Sequence, residues 1–387
     1  MMEDQEISLR EDGIDPSIEF LLILCCARTT EKSEVLGYLT KLIGKITDWD
    51  YVLKFADEQG LLMFLLHNIN LVVSEFLPQT IITGVRRRYA SRSRSLLMEF
   101  RDVTSLFSSN GISAISYKGP TLAAIAYKNQ KLRNSGDLDF LVHRRDYERV
   151  KTFLLAQGYV LSMDCGYKYH LWHPMKQVNL DLHRGLVPRR YRFTFSFENA
   201  WERAMPLAMP YGGSVPTFCL EDLVIVLSLD LVKDIAQSES LRLVKVTDIA
   251  ELLKHHARIN WSALTIRVKH MGLSRVTYFG LLLSDRMYGV TLPPEVRQEM
   301  KSQLPHLRWP VNLAMRMMLD KKSSPRMLSP KFLHEARTII TLQDNLKNQL
   351  FVVALYLIRP IRLPLKYLLA VTNFVRCNPL VRRIFRG

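Results

Sequence analysis

Ser135-Gly136-Asp137-Leu138-Asp139-Phe140-Leu141-Val142 is the stretch whose reading decides the fold. A glycine turn leads into a run that alternates acidic and apolar residues before it becomes wholly apolar. On a strand, alternate side chains share a face, so Asp137 and Asp139 point the same way while Leu138 and Phe140 point the other. A second strand-like run ends in Asp181-Leu182-His183, which places a third carboxylate at strand spacing from a histidine. Three convergent carboxylates build a poor core and a good seat for Mg²⁺ (or Mn²⁺) against nucleotide phosphates.

Working outward, Ile112–Ser116 is short, alternates apolar with small residues and lies between Gly111 and Gly119, so it reads as a strand. Lys118-Gly119-Pro120 then opens a helix over Thr121–Tyr127, where proline suits the first turn. Asp146–Gln157 reads as an amphipathic helix closed by Gly158. Tyr159–Met163, Tyr167–Trp172 and Gln177–His183 read as three further strands. The order β-α-β-α-β-β-β predicts an α+β core, a mixed sheet with helices packed on one face.

The flanks have a different period. Residues 17–109 read as helical, with Thr47-Asp48-Trp49-Asp50 as a helix start and a long helix over 85–108. Arg86, Arg87, Arg88, Arg92 and Arg94 on that helix fit a solvated face better than a nucleic-acid contact. Leu220–Leu231, Leu241–His256 and Trp261–Met271 are amphipathic. The expected organisation is a flexible N-terminus over 1–16, a helical region over 17–109, the catalytic core over 110–215, a second helical region over 216–343, and a basic amphipathic tail over 344–387.

The 387-residue chain is long enough for a sizeable core, and its net charge of +16 favours acidic partners. About half of that excess lies in residues 345–387, which hold eight Lys or Arg and no Asp or Glu. Such a tail either lies on an anionic membrane surface or packs its apolar face on the protein. No apolar run reaches the length of a spanning helix. Cys25, Cys26, Cys165, Cys219 and Cys377 are odd in number and irregular in spacing, which speaks against a zinc site or a disulfide framework. The polar, acidic first residues argue against a secretory signal, and a cytoplasmic location is expected, with the tail allowing a peripheral place at the membrane.

The segments Ser116-Tyr117-Lys118-Gly119-Pro120-Thr121-Leu122-Ala123 and Leu132-Arg133-Asn134-Ser135-Gly136-Asp137-Leu138-Asp139, followed by Asp181-Leu182-His183, resemble the uncharacterised bacterial nucleotidyltransferase family. That family lies within the superfamily that includes DNA polymerase β and the kanamycin-type nucleotidyltransferases. The likeness spans roughly residues 15–300, with the sharp motifs confined to 116–186. Pro120 stands where the wider superfamily prefers Gly or Ser, and Asp230 stands where the family often has His.

The resemblance implies a polymerase β-like nucleotidyltransferase core and transfer of a nucleoside monophosphate from a nucleoside triphosphate, ATP by default, to an acceptor. Asp137, Asp139 and Asp181 are the expected catalytic residues and ligands of two Mg²⁺ or Mn²⁺ ions. Lys118, Gly119, Arg133, Ser135, Gly136 and His183 are the expected nucleotide-binding residues. Lys118 and Arg133 would neutralise phosphate charge, and Ser135 and Gly136 would shape the turn that delivers Asp137. His183 would either contact a phosphate or the acceptor, or orient Asp181. The acceptor stays open among a small molecule, a sugar or antibiotic hydroxyl, a peptide, a protein side chain and an RNA end. A catalytically silent nucleotide- or partner-binding protein of the same fold is the alternative.

Overall fold

The computed structural model describes residues 6–355 apart from 8, 11–13, 29–32, 73–78, 210–212, 238–240, 256–257 and 320–330. Its centre is a five-stranded sheet built from β1 (Ala114–Ser116), β2 (Asp137–Val142), β3 (Val160–Asp164), β4 (Lys168–His173) and β5 (Val178–His183). The strand order is β1-β2-β5-β4-β3. β2 and β5 run parallel, and the other neighbours pair antiparallel. The sheet is therefore mixed and the fold is α+β, as the sequence order predicts.

Alternation along β2 and β5 divides the sheet chemically. Leu138, Phe140, Val142, Leu180 and Leu182 enter one apolar cluster with Leu96, Phe100 and Phe107 of the Gln79–Ser109 helix and Val150 and Leu154 of the Tyr147–Ala156 helix. Phe140 stacks on Phe100 at 5.6 Å and meets the edge of Phe107 at 5.1 Å. Burying an aromatic ring of this kind contributes roughly 2–3 kcal/mol from area alone. The opposite face carries Asp137, Asp139, Asp181 and His183, which need cations or hydrogen bonds rather than hydrocarbon.

That polar face is covered too, which the expectation of helices on one face does not include. The roof is the Leu220–Gln237 helix, which is followed by the Leu243–His255 helix. From Asp222 to Ala236 every residue is buried, so this helix has no solvent face. Each of its charges therefore needs a partner within the protein. Asp222 takes Arg203 at 2.8 Å and Arg267 at 2.6 Å. The remaining charges, Asp230, Lys233 and Asp234, face the sheet.

Local signals place the helix starts. Asp48 accepts from the Tyr51 N–H at 2.9 Å, as its sequence context predicts, and Ser17 accepts from the Phe20 N–H at 3.1 Å. The turn before the Gly119–Ala126 helix requires glycine. Gly119 has φ +56°, and a Cβ there would lie 2.7 Å from the Asp137 carbonyl oxygen.

A second small sheet, β6 (Met205–Ala208) with β7 (Ser214–Thr217), has no counterpart in the sequence reading. Its cross-strand pair Pro206–Pro216 explains why, because proline argues against a strand wherever a ladder N–H is needed. Residues 346–355 are helical, with Leu346 and Leu350 exposed. The rest of the predicted basic tail, 356–387, and residues 1–5 of the predicted flexible N-terminus lie outside the described residues. Among the described residues, no helix is long and apolar enough to cross a membrane.

Candidate active site

Parallel pairing of β2 with β5 sets Asp139 directly beside Asp181, two residues before the Leu141–His183 pair. Ligand atoms of Asp139, Asp181 and His183 all lie within 4.8 Å of one another, and all three residues are buried. His183 Nε2 is 3.2 Å from Asp139 Oδ1 and 4.0 Å from Asp181 Oδ2. The histidine therefore serves Asp139 rather than Asp181, the carboxylate two residues before it. Its ring meets the edge of Tyr117 at 5.7 Å. Burial holds its pKa below the ordinary imidazole range despite the Asp139 contact.

Two buried atoms in this group have no hydrogen-bond partner, Asp139 Oδ2 and His183 Nδ1. An orphaned carboxylate oxygen in a buried site is costly unless a cation completes it. The donor set, two carboxylates and an imidazole, fits a divalent ion, with the oxygens suited to Mg²⁺ and the nitrogen favouring Mn²⁺ over it. The group can hold a metal ion.

The carboxylates differ in electrostatic state. Asp137 is half-buried at the start of β2; burial and then the charges of Asp139 and Asp181 push it up to about 6. Burial also pushes Asp139 up, but Lys118 and the His183 hydrogen bond outweigh it and leave the group below the usual carboxylate range. Asp181 is also held below the usual carboxylate range. Against its own burial, it is held down by His170, by His183 and by Lys168. Lys168 Nζ sits 2.6 Å from its Oδ2, and His170 Nδ1 sits 2.5 Å from its Oδ1.

Neither Lys168 nor His170 is among the site residues expected from the sequence. They stand two apart on β4, and the antiparallel register sets His170 opposite Asp181. The period-2 signal was present, but the pairing of β4 with β5 was needed to see its use.

Asp137, Asp139 and Asp181 line a polar cavity of about 640 Å³ between the sheet and the roof helices. Its walls carry seven Lys or Arg and six Asp. Lys118 reaches Asp230 Oδ1 at 2.8 Å, Lys233 reaches the same oxygen at 2.5 Å, and Lys245 reaches Oδ2 at 2.8 Å. Lys245 also bridges to Asp234 at 2.5 Å. Asp230, the residue that departs from the family pattern, thus gathers three ammonium groups at the cavity wall. Burial would lower Lys118, but Asp230 and Asp139 hold it well above the ordinary lysine value, so it stays charged.

Arg133 also lines the cavity, with its guanidinium engaged. Nε donates to Asp248 Oδ1 at 2.6 Å, Nη2 to Asp248 Oδ2 at 2.8 Å, and Nη1 to the Asn134 carbonyl at 2.6 Å. Tyr127 Oη donates to the same Asp248 at 2.7 Å. This bidentate pair ties the segment before β2 to the Leu243–His255 helix.

Ser135 and Gly119 lie on the cavity wall, and Ser135 Oγ is buried without a partner. Gly136 faces away, toward Arg92, whose Nη2 would be 3.6 Å from a Cβ at that position. His183 is only 1% exposed and lies beneath the carboxylates rather than on the wall. The structure therefore brings Asp137, Asp139, Asp181, Lys118, Gly119, Arg133 and Ser135 to one cavity, with His183 behind it.

A family described as "Uncharacterised nucleotidyltransferase" matches residues 45–289. No curated protein matches the chain. Among solved structures, an antigenic nucleotidyltransferase-like protein from Paracoccidioides brasiliensis is similar at 14% identity and a TM-score of 0.31. That match covers 53% of this chain and 97% of the other.

Proposed function

Because the chain belongs to the family of uncharacterised nucleotidyltransferases, we propose that it transfers a nucleoside monophosphate from a nucleoside triphosphate, ATP by default, to a hydroxyl-bearing acceptor. The acceptor oxygen would form a bond to the α-phosphorus as the bond from that phosphorus to the bridging oxygen breaks, and pyrophosphate would leave. The single observation that carries this reading is the unpartnered, buried Asp139 Oδ2 beside Asp181 and His183, at the edge of a cation-walled cavity.

Asp137, Asp139 and Asp181 would hold Mg²⁺ or Mn²⁺, with His183 fixing Asp139. The bound ions would neutralise phosphate charge and polarise the α-phosphate. The chain's own residues would do the rest. Lys118, Lys233 and Lys245, pre-arranged by Asp230, would meet the triphosphate's charge without reorganising during the reaction. Gly119 lets the turn approach β2 closely and begins a helix whose N–H groups suit an anion. Arg133 would act by holding the Asn134–Asp137 approach in place rather than by direct phosphate contact. Asp181, kept strongly acidic, is a poor base, so the acceptor's proton would pass to water.

The test is incubation of the full chain with each α-³²P-labelled nucleoside triphosphate, Mg²⁺ and a cell extract. Metal-dependent release of unlabelled pyrophosphate with transfer of label, abolished by Asp139→Asn, is the expected result. No release with any of the four nucleotides would overturn it. A second reading, nucleotide binding without turnover, is favoured by Asp181, both of whose oxygens are already taken by Lys168 and His170. Binding of ATP in the absence of any pyrophosphate release would support that reading instead.

A further inference from the structure

A second cavity of about 700 Å³ lies between the Gln79–Ser109 helix, the Leu62–Val72 helix and residues 129–134. Its apolar surface comes from Met63, Tyr89, Leu97, Met98 and Leu132, and its cations are Arg86, Arg94, Arg101, Lys131 and the Asp248-paired Arg133. Among the described residues, no carboxylate lines it. Arg86 and Arg94 make no ion pair among the described residues, whereas Arg101 has Asp102 at 3.1 Å. The arginines that read as a solvated helix face thus rim a hollow with a hydrocarbon floor.

This hollow adjoins the site cavity, with which it shares Arg133. A smaller cavity of about 320 Å³ shares Met63, Tyr89, Arg133 and Asn134 with it, and shares Arg133 and Arg242 with the site cavity. Arg88 and Arg92 join the basic lining there, and Arg92 lies against Gly136, one residue before Asp137. Asp57, the one acid in this connection, accepts from the Tyr89 hydroxyl. The path from the hollow to the metal-binding strand is therefore basic along its length.

We propose that this hollow is the acceptor site and that the acceptor is a compact anionic amphiphile, a molecule with an apolar body, an acidic group and a reactive hydroxyl. The apolar floor takes the body, Arg86 and Arg94 take the acid, and the connection by Arg133 leads the hydroxyl to the triphosphate. Charge complementarity selects an anion, since the charged side chains of the hollow's described lining are all Arg or Lys. The size and apolar floor select a small ligand over a nucleic-acid track, which would need a run of aromatic platforms where the described lining offers Tyr89 and His67. The acceptor role rests on the nucleotidyl-transfer reading, but the binding does not.

The test is calorimetric titration of the full chain with octyl phosphate below its micellar range, with octyl glucoside as the neutral counterpart and a single-stranded RNA 12-mer as the polymeric one. Octyl phosphate is expected to bind at least tenfold more tightly than octyl glucoside, and Arg86→Glu/Arg94→Glu is expected to remove that preference. Arg86→Gln/Arg94→Gln serves if the reversal variant does not fold, and Arg86→Lys/Arg94→Lys is expected to retain most of the binding. Equal binding of the two octyl compounds, unchanged octyl phosphate binding in the reversal or neutral variant, or tighter binding by the RNA lost in that variant would each overturn the proposal. Titration of the same proteins with ATP and Mn²⁺ keeps the two readings apart. Loss of nucleotide binding in wild type would strike the site reading alone, and loss of octyl phosphate selectivity would strike this one alone.

Discussion

Two sets of carboxylates face the same cavity, and they are treated in opposite ways. On the roof, Asp230 and Asp248 have both oxygens taken by Lys or Arg side chains. On the sheet, Asp139 keeps a buried oxygen without a partner, and burial with the charges of Asp139 and Asp181 pushes Asp137 up to about 6. A saturated buried carboxylate is a structural anchor, whose loss strands cations in the interior. An unsaturated one is a site awaiting a cation. Asp181 is intermediate, because its partners Lys168 and His170 hold the places a metal would need.

The largest expected effect comes from breaking the sheet set. Asp139→Asn should lower nucleotidyl transfer by at least about 10³-fold, on the order of 4 kcal/mol of transition-state stabilisation. The side chain keeps its shape, and Lys118 and His183 lose a charged partner, so thermal stability should fall modestly, by less than in the roof variant below. Retained transfer would remove Asp139 from the machinery.

The roof set should behave in the reverse manner. Asp248→Asn strands Arg133, whose pair with it is deeply buried, and should cost roughly 3–5 kcal/mol in denaturant unfolding. If Asp248→Asn unfolded no more easily than Asp139→Asn, the distinction between anchor and site would fail.

The pH response sharpens the contrast. With its pKa raised to about 6, Asp137 keeps its proton in the folded chain between about pH 4 and 6, where the unfolded chain has already lost it. Without metal, stability through this carboxylate therefore falls as pH rises through that window. Metal binding runs the other way, because it needs the ionised form. Mn²⁺ affinity should weaken about tenfold per unit below pH 6, with proton release visible as a dependence of the binding enthalpy on the buffer. Affinity that is flat from pH 5 to 7 would show that Asp137 takes no part.

The smallest effect concerns the intermediate case. Lys168→Met removes an ammonium that competes for Asp181, so Mn²⁺ should bind more tightly, by roughly three- to tenfold. Weaker binding in that variant would mean that Lys168 supports the metal site rather than shielding it.

Much of the sheet side was legible in the sequence. The spacing of Asp137 and Asp139, the alternation ending in Asp181 and His183, and the glycine at 119 all follow from strand and turn geometry, and the structure sets the three carboxylates and Gly119 at one cavity with His183 behind it. The roof was not legible. Nothing local in the Leu220–Gln237 helix says that Asp230 collects lysines from positions 118, 233 and 245, since only Lys233 is near in sequence. Arg133 shows the same limit. Its place before the acidic strand suggests a phosphate contact, whereas the structure commits it to a carboxylate 115 residues away. The partner of His183 was also hidden, because neighbours on one strand are visible in sequence and neighbours across a parallel pair are not.

The central claim, that the β2 and β5 carboxylates are a divalent-metal site and the roof carboxylates are not, is tested most directly by electron paramagnetic resonance titration of Mn²⁺ into wild type, Asp139→Asn and Asp230→Asn in the presence of ATP. The account predicts saturable loss of the free Mn²⁺ signal beyond that of ATP alone in wild type and in folded Asp230→Asn, and none in Asp139→Asn. Equal binding by wild type and Asp139→Asn would contradict it.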